Sequence, residues 1–288
     1  MKIVTAEHYG ICFGVRDAIA QAEQLALAGP LTVLGELVHN PIVRERLRAA
    51  GVTESSLDHP TATAVRVMIT AHGASNAKRA QWKQAGAVVA DGTCPLVRHA
   101  HDQLARLVAD GFFPVVIGQR GHVEVNGLTG DFPEAAVLSA PHDIASLPRR
   151  ARYGMISQTT QPIELVRLIV DLVRQTNPES EVRFVDTVCQ PTKNRQSALR
   201  RLIAQAELIV VVGGKNSNNT RQLVETCRKA GRRAVHIERA EELVPNDFSG
   251  IAVVGVTAGT STLRETVEAV LARLKEFSST QLKTETNK

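Results

Sequence analysis

Three cysteines lie far apart in the sequence but in similar local settings: Cys12, Cys94 and Cys189. Each lies near the junction of a strand-like apolar run with a helix-like pattern. The sequence contains no Cys-x-x-Cys pair, which excludes a zinc ribbon and a local ferredoxin-type loop. Three thiolates that meet at one centre, one from each structural unit, would hold a cubane iron–sulfur cluster with one iron open to substrate. The alternative is three buried apolar thiols, and Cys227, inside a helical pattern, is assigned to packing.

Three histidines and one glutamate have neighbours that suit a pocket. His39, His72 and His122 each follow a strand-like run and lie beside Gly, Pro or Asn. Side chains at such positions can converge on a ligand, although a histidine can equally be a structural residue. Glu124, two residues after His122, is either a proton donor or a solvated strand residue.

Several apolar runs end in a small, polar turn that leads into a helical pattern. These turns are residues 70–73, 92–95, 157–160, 213–219 and 257–261. Ser, Thr and Asn at the carboxyl ends of parallel strands can bind a phosphate or simply cap the next helix. Five such turns, together with the histidines, favour an anionic, phosphate-bearing ligand. The nucleotide-binding Walker and Gly-x-Gly-x-x-Gly spacings are absent.

Short apolar runs alternate with helical patterns along the chain, which predicts an α/β fold with mostly parallel sheets. The predicted strands are 31–35, 65–70, 87–91, 114–118, 135–139, 153–157, 182–187, 208–213, 234–238 and 251–257. The predicted helices include 15–28, 77–85, 96–110, 163–175, 193–206, 220–230 and 263–277.

Composition narrows the classes of partner. The net charge is 34 − 29 = +5 without a basic block, and aromatic residues are 3% of the chain. Both properties argue against nucleic acid, and the charge suits a small anion. No apolar stretch approaches the length of a membrane span, and no signal peptide is visible, so we expect a cytoplasmic protein without disulfides.

Eight short motifs occur in the order and at the spacing of one family. They are Cys12-Phe13-Gly14-Val15, Glu36-Leu37-Val38-His39-Asn40, Thr70-Ala71-His72-Gly73, Thr93-Cys94-Pro95-Leu96-Val97, Gly121-His122-Val123-Glu124-Val125, Ser157-Gln158-Thr159-Thr160, Lys215-Asn216-Ser217-Asn218-Asn219 and Thr257-Ala258-Gly259. From about residue 3 to 275 the chain resembles the 4-hydroxy-3-methylbut-2-enyl diphosphate reductase family, which completes the methylerythritol phosphate route to isoprenoids.

The resemblance implies three small α/β units around a central iron–sulfur cluster. We assign them to residues 14–95, residues 96–186, and residues 187–277 plus 1–13, with a flexible tail at 278–288. Carried over, Cys12, Cys94 and Cys189 bind a [4Fe–4S] cluster whose fourth iron is open.

The resemblance also implies the substrate site. The residues that match diphosphate-binding or other pocket positions are His39, His72, His122, Thr192, Ser217, Asn218, Asn219 and Ser261. Glu124 and Thr159 match the pair near the substrate hydroxyl. Several positions depart from the family pattern. Val123 and Leu263 stand where the family has proline, Asn218 replaces a serine, and Gln119-Arg120 precede the Gly-His pair.

The implied reaction removes an allylic hydroxyl as water, with two electrons and two protons, and gives isopentenyl or dimethylallyl diphosphate. Glu124 would protonate the departing oxygen, with Thr159 keeping that network in place. No flavin or nicotinamide motif is visible, so we expect a ferredoxin or flavodoxin as electron donor. The alternatives are a divergent relative acting on another phosphorylated allylic substrate, a mononuclear zinc or iron hydrolase, and a non-enzymatic sensor.

Overall fold

The chain contains three parallel four-stranded β-sheets within residues 1–60 and 66–286, which the computed structural model describes. The first sheet contains β2 (Leu31–Leu34), β3 (Val52–Ser55), β4 (Arg66–Ile69) and β5 (Val88–Asp91). The second sheet contains β6 (Phe113–Ile117), β7 (Ala136–Leu138), β8 (Arg152–Ser157) and β9 (Glu181–Phe184). The third sheet contains β10 (Leu208–Val212), β11 (Arg233–Ile237), β12 (Val253–Ala258) and β1 (Lys2–Thr5).

All three sheets have the same strand order. The first is β3-β2-β4-β5, the second β7-β6-β8-β9 and the third β11-β10-β12-β1, with every neighbouring pair parallel. The N-terminal strand β1 therefore takes the place in the third sheet that β5 and β9 have in the other two. The predicted α/β class with parallel sheets is confirmed.

Helices connect the strands. They are α1 (Phe13–Leu27), α2 (Pro41–Ala49), α3 (Asn76–Gln84), α4 (Pro95–Ala109), α5 (Val123–Thr129), α6 (Ile163–Thr176), α7 (Gln190–Gln205), α8 (Asn218–Lys229) and α9 (Arg264–Thr286). Three short 3₁₀ helices cover Pro141–Ser146, Ala240–Glu242 and Pro245–Phe248. No helix in the described residues combines the length and the apolar composition needed to cross a membrane.

Apolar side chains cover both faces of the central strands, which explains their uniformly apolar sequences. In β10, Leu208, Val210 and Val212 belong to one buried cluster. The alternate residues, Ile209 and Val211, belong to a second cluster with side chains of α7 and α8. The central strand β6 of the second sheet is divided between two clusters in the same way.

The structure adds elements that the sequence patterns did not predict. All ten predicted strands are present, although residue 65 of the predicted strand 65–70 lies outside the described residues. The additional strands are β1 and β3, and the additional helices are α2 and α5. The last helix was expected to end at residue 277 but continues to Thr286, into the segment expected to be a flexible tail. The flexibility of that segment stays a prediction.

Residues of the chain group into two compact units. Unit 1 contains Met1–Arg16, Val38–Glu45 and the chain from Lys193 onwards, and it holds the third sheet. Unit 2 contains Asp17–Leu37 and Arg46–Thr192, and it holds the first and second sheets. The division into three units, at residues 95/96 and 186/187, stays a prediction.

Candidate active site

Each of the three predicted cysteine ligands occupies the same place in its sheet. Cys12, Cys94 and Cys189 follow β1, β5 and β9, the strands that end each sheet on the same side of its order. Each cysteine also immediately precedes a helix, since α1, α4 and α7 begin at the next residue. The backbone carbonyls of Cys12 and Cys94 accept the first helical hydrogen bonds, from Arg16 N and Arg98 N, both at 2.9 Å.

The placement suits sulfur ligands that carry negative charge. A helix N-terminus offers unpaired N–H groups and a partial positive charge. All three cysteines are partly exposed, whereas Cys227 is fully buried, and burial raises the pKa of its thiol to about 12. The assignment of Cys227 to packing agrees with that environment.

A single metal ion and a cubane cluster make different demands on cysteine ligands. Among residues 1–60 and 66–286, no three His, Cys, Asp or Glu side chains converge closely enough to hold a single metal ion. A cubane makes a different demand, because each thiolate binds a different iron.

Glu124 is a buried acid in the first turn of α5. Its exposed fraction is 2%, and its carboxylate accepts a hydrogen bond of 2.7 Å from Thr159 N. Burial raises the pKa of Glu124 to about 7, although the backbone and side-chain hydrogen bonds from Thr159 act in the opposite direction. The alternative of a solvated strand residue is wrong, because the chain turns into a helix here and covers the side chain.

Hydrogen bonds connect Glu124 to a cysteine through Thr159. The Thr159 carbonyl accepts from Cys189 N at 3.0 Å. The Cys189 thiol in turn donates to the Thr192 hydroxyl, at 3.1 Å, and Thr192 is fully buried. The predicted pair Glu124 and Thr159 therefore lies directly beside one predicted sulfur ligand.

His72 and His122 lie next to each other in unit 2. Their rings meet edge to face with centroids 5.6 Å apart. His122 caps α5, and its Nδ1 accepts from Glu124 N at 3.1 Å, so the proton of the neutral ring is on Nε2, where it can be donated to an anion. The backbone also ties Cys94 to this pair, because Cys94 N donates to the Ala71 carbonyl at 3.1 Å.

In unit 1, polar residues gather at the ends of β10 and β12. Ser217 caps α8 by accepting from Thr220 N, and Asn219 accepts from Thr260 N at 3.0 Å. Asn218 Nδ2 and Ser261 Oγ are buried, and neither has a hydrogen-bond partner among the described residues. Buried donors without partners are rare in folded proteins, so these two atoms point to a polar ligand.

His39 and Cys12 belong to the same group of residues. A Cβ atom at Gly214 would lie 1.9 Å from the His39 carbonyl, so only glycine permits this close approach. Cys12 N donates to the Thr260 carbonyl at 3.1 Å, which places Cys12 beside the turn that carries Ser261.

Two residues that organise the site were missed as site residues by sequence reasoning. Asn40 is buried, caps α2 through Ile42 N at 2.9 Å, and donates to the Ser261 carbonyl at 2.7 Å. An Asn directly before Pro41 was an available signal for a helix start. Gln158 accepts from Gln119 N at 3.0 Å and so joins the turns after β6 and β8, but nothing in its local sequence indicates that role.

Two of the departures from the family pattern, Val123 and Asn218, have simple local settings. Val123 is the first residue of α5, a position where proline is common because the backbone N–H there is not needed by the helix. Asn218 is the first residue of α8, with its amide buried.

The chain is similar to known proteins over nearly its whole length. Residues 3–275 match the family model described as LytB protein. A relative from Aquifex aeolicus (strain VF5), named 4-hydroxy-3-methylbut-2-enyl diphosphate reductase, is 34% identical over 98% of this chain and 99% of its own. A relative of the same name from Vibrio vulnificus (strain YJ016) is 35% identical over 96% of this chain and 91% of its own.

Two solved structures are similar to the whole chain. The E-1-hydroxy-2-methyl-but-2-enyl-4-diphosphate reductase from Plasmodium falciparum superposes with a TM-score of 0.87 at 25% identity, over 94% of this chain and 87% of that one. An (E)-4-hydroxy-3-methyl-but-2-enyl diphosphate reductase, described as the terminal enzyme of the non-mevalonate pathway, has a TM-score of 0.69 at 33% identity, over 96% of this chain and 100% of that one.

Proposed function

Because this chain belongs to the LytB protein family, we propose that it is an oxidoreductase that converts 4-hydroxy-3-methylbut-2-enyl diphosphate to isopentenyl and dimethylallyl diphosphate. The reaction breaks the allylic C–O bond, consumes two electrons and two protons, and releases the oxygen as water. The observation that carries the proposal is the buried acid Glu124, joined through Thr159 to Cys189 at the start of α7.

We propose that Cys12, Cys94 and Cys189 hold a [4Fe–4S] cluster. The donor set fits such a group, because all three cysteines are partly exposed and each lies at the N-terminus of a helix. When bound, the cluster would supply the electrons and an open iron that acts as a Lewis acid.

The diphosphate requires hydrogen-bond donors, and the chain offers them at strand ends. We assign this role to His39, His72, His122, Thr192, Ser217, Asn218, Asn219 and Ser261. The unpartnered Asn218 Nδ2 and Ser261 Oγ support the assignment. The N-terminus of α8 adds backbone N–H groups that favour an anion.

Glu124 is the proposed proton donor. A pKa near 7 keeps a large fraction of the carboxyl protonated at neutral pH, which suits a general acid. Its hydrogen bond from Thr159 N fixes the carboxyl group, and the capping interaction of His122 fixes the turn that carries it. Thr159 therefore acts as the residue that holds the acid in place.

We propose that a separate ferredoxin or flavodoxin in the cytoplasm supplies the electrons. The sequence contains no motif for binding a nicotinamide or flavin cofactor that could supply the electrons instead.

The test is anaerobic purification followed by an assay of hydroxymethylbutenyl diphosphate reduction with a strong artificial electron donor. We expect about four irons and four acid-labile sulfides per chain, and release of isopentenyl and dimethylallyl diphosphate. One zinc per chain would favour the hydrolase. A cluster that ignores this substrate but reduces another phosphorylated allylic alcohol would identify a divergent relative, and one that reduces neither would identify a sensor.

A further inference from the structure

We propose that Arg79 is a positioning residue that holds the loops of Cys94 and His72 in one arrangement, and so determines how firmly Cys94 binds its iron. The inference rests on the proposed function in one respect, that Cys94 binds an iron of the cluster. Arg79 lies on α3, and its side chain is 21% exposed. It has no place in the proposed chemistry, but its guanidinium touches both loops.

The guanidinium of Arg79 donates to three different acceptors. Nη1 binds the Asp91 carboxylate at 2.7 Å, Nη2 binds the Thr93 hydroxyl at 2.9 Å, and Nε binds the Ala74 carbonyl at 3.1 Å. Asp91 and Thr93 precede Cys94, whereas Ala74 follows His72 by two residues. One side chain therefore connects the end of β5 with the turn after β4.

The Thr93 acceptor is itself held in place. Both its backbone N–H and its hydroxyl donate to Asp91 Oδ1, and the side chain is 6% exposed. Burial alone would raise the pKa of Asp91, but the two Thr93 hydrogen bonds and Arg79 outweigh it and lower the pKa. Asp91 is thus a fixed anion to which Arg79 is anchored.

The two loops also touch each other next to the cysteine. Gly73, where φ is +76°, lies so close to Thr93 that an added Cβ atom would be only 3.1 Å from Thr93 Cγ2. Cys94 N donates to the Ala71 carbonyl at 3.1 Å. A displacement of Thr93 is therefore passed on to Cys94 and to the turn of His72.

Only arginine can make these contacts together. The guanidinium is a rigid planar fork, whereas a lysine ammonium is a point charge on a flexible stem. In Arg79→Lys we expect the ion pair with Asp91 to remain and the bonds to Thr93 or Ala74 to be lost. Residues that orient metal ligands typically change metal affinity by about 10-fold to 100-fold when mutated.

The experiment compares cluster loss in the wild type and four variants after anaerobic reconstitution. The variants are Arg79→Lys, Thr93→Val, the double variant, and the matched control Lys78→Gln. Lys78 neighbours Arg79 on α3, and its ammonium group pairs with the Asp58 carboxylate at 3.1 Å. An iron chelator is added, and the decay of the cluster's visible absorbance gives the rate.

We expect Arg79→Lys to lose iron about tenfold faster than the wild type, and Thr93→Val to lose it several-fold faster. The increase in the double variant should be smaller than the product of the two single increases, because both substitutions break the Arg79–Thr93 bond, and Lys78→Gln should match the wild type. Equal rates for Arg79→Lys and the wild type would overturn the proposal, and so would rate increases that multiply in the double variant. If Arg79→Lys fails to fold, Thr93→Val decides the question by the same comparison with the wild type.

A second readout separates this proposal from the proposed function. In the metal-free chain, the alkylation rate of Cys94 should change several-fold in Arg79→Lys, while that of Cys12 in unit 1 stays constant. An unchanged Cys94 rate would overturn the positioning role. A wild-type chain that binds no iron and sulfide would overturn the proposed cluster, and the alkylation comparison would still decide the role of Arg79.

Discussion

At the scale of single residues, Glu124 is a buried carboxyl group that accepts a hydrogen bond from the backbone N–H of Thr159. The substitution Glu124→Gln keeps the size and the acceptor oxygen but removes the transferable proton. We expect turnover to fall by about 10²-fold to 10⁴-fold, with iron content and substrate binding unchanged. Steady-state assays and iron analysis of the reconstituted variant check this, and unchanged turnover would remove Glu124 from the mechanism.

The raised pKa of Glu124 also predicts how stability depends on pH. Between about pH 4.5 and pH 7 the folded chain binds a proton that the unfolded chain releases, so this group's contribution to stability falls as pH rises. The loss amounts to about 3 kcal/mol above pH 7. The substitution Glu124→Gln removes this pH-dependent loss of stability, because a neutral amide has no charged form to bury.

We therefore expect metal-free Glu124→Gln to unfold at a higher temperature than the wild type at pH 8, by roughly 5 °C, with a much smaller difference near pH 4.5. Differential scanning calorimetry at both pH values measures this. A difference that does not depend on pH would mean that the Glu124 pKa is ordinary in the fold.

The candidate reactive residues could be identified from the sequence, but their burial in the fold could not. Glu124, Thr159 and the histidines could be named from motifs, but the burial of Glu124 could not. The helix that buries it, α5, has only seven residues and a histidine cap, which is not among the strong helix-start signals.

At the scale of elements, the sequence patterns predicted all six central strands of the three described sheets and four of their six edge strands, and missed β1 and β3. β1 and β3 lie at the edges of their sheets, have four residues each, and carry exposed polar residues, so no apolar run marks them. Helix α2 was missed because Asn40-Pro41 is also a turn signal. The shared strand order of the three sheets depends on long-range pairing, which no local pattern contains.

Asn40 allows a test of how one such element supports the site. Asn40→Ala removes both the cap of α2 and the bond to the Ser261 carbonyl, and we expect a loss of about 2 kcal/mol. Asn40→Ser retains a capping oxygen but cannot reach Ser261, so its loss should be about half as large. Urea unfolding of the metal-free variants gives both values, and a Ser variant as stable as the wild type would show that the Ser261 bond contributes nothing.

At the scale of the whole molecule, a cysteine occurs at the same topological position in all three sheets. The strand that ends each sheet is followed by a helix whose N-terminus carries a cysteine, although one of these strands is at the start of the chain. The three cysteines and their strand–helix junctions could be identified from the sequence. Their equivalent positions in the three sheets could not, because β1 pairs with a strand more than two hundred residues away in the chain.

This equivalence predicts a pattern of thiol reactivity over the entire chain. In the metal-free folded protein, iodoacetamide should modify Cys12, Cys94 and Cys189, which are partly exposed. Cys227 is fully buried with a pKa near 12, so at neutral pH its thiolate is on the order of 1000-fold scarcer than that of an ordinary thiol. Assembly of the cluster should protect Cys12, Cys94 and Cys189 together from iodoacetamide and leave the modification rate of Cys227 unchanged, as measured by peptide mass spectrometry. The chain unfolded in urea, in which all four cysteines react, is the control. A cysteine of the proposed three that reacts equally fast with and without the cluster is not a ligand, and fast reaction of Cys227 would contradict its burial.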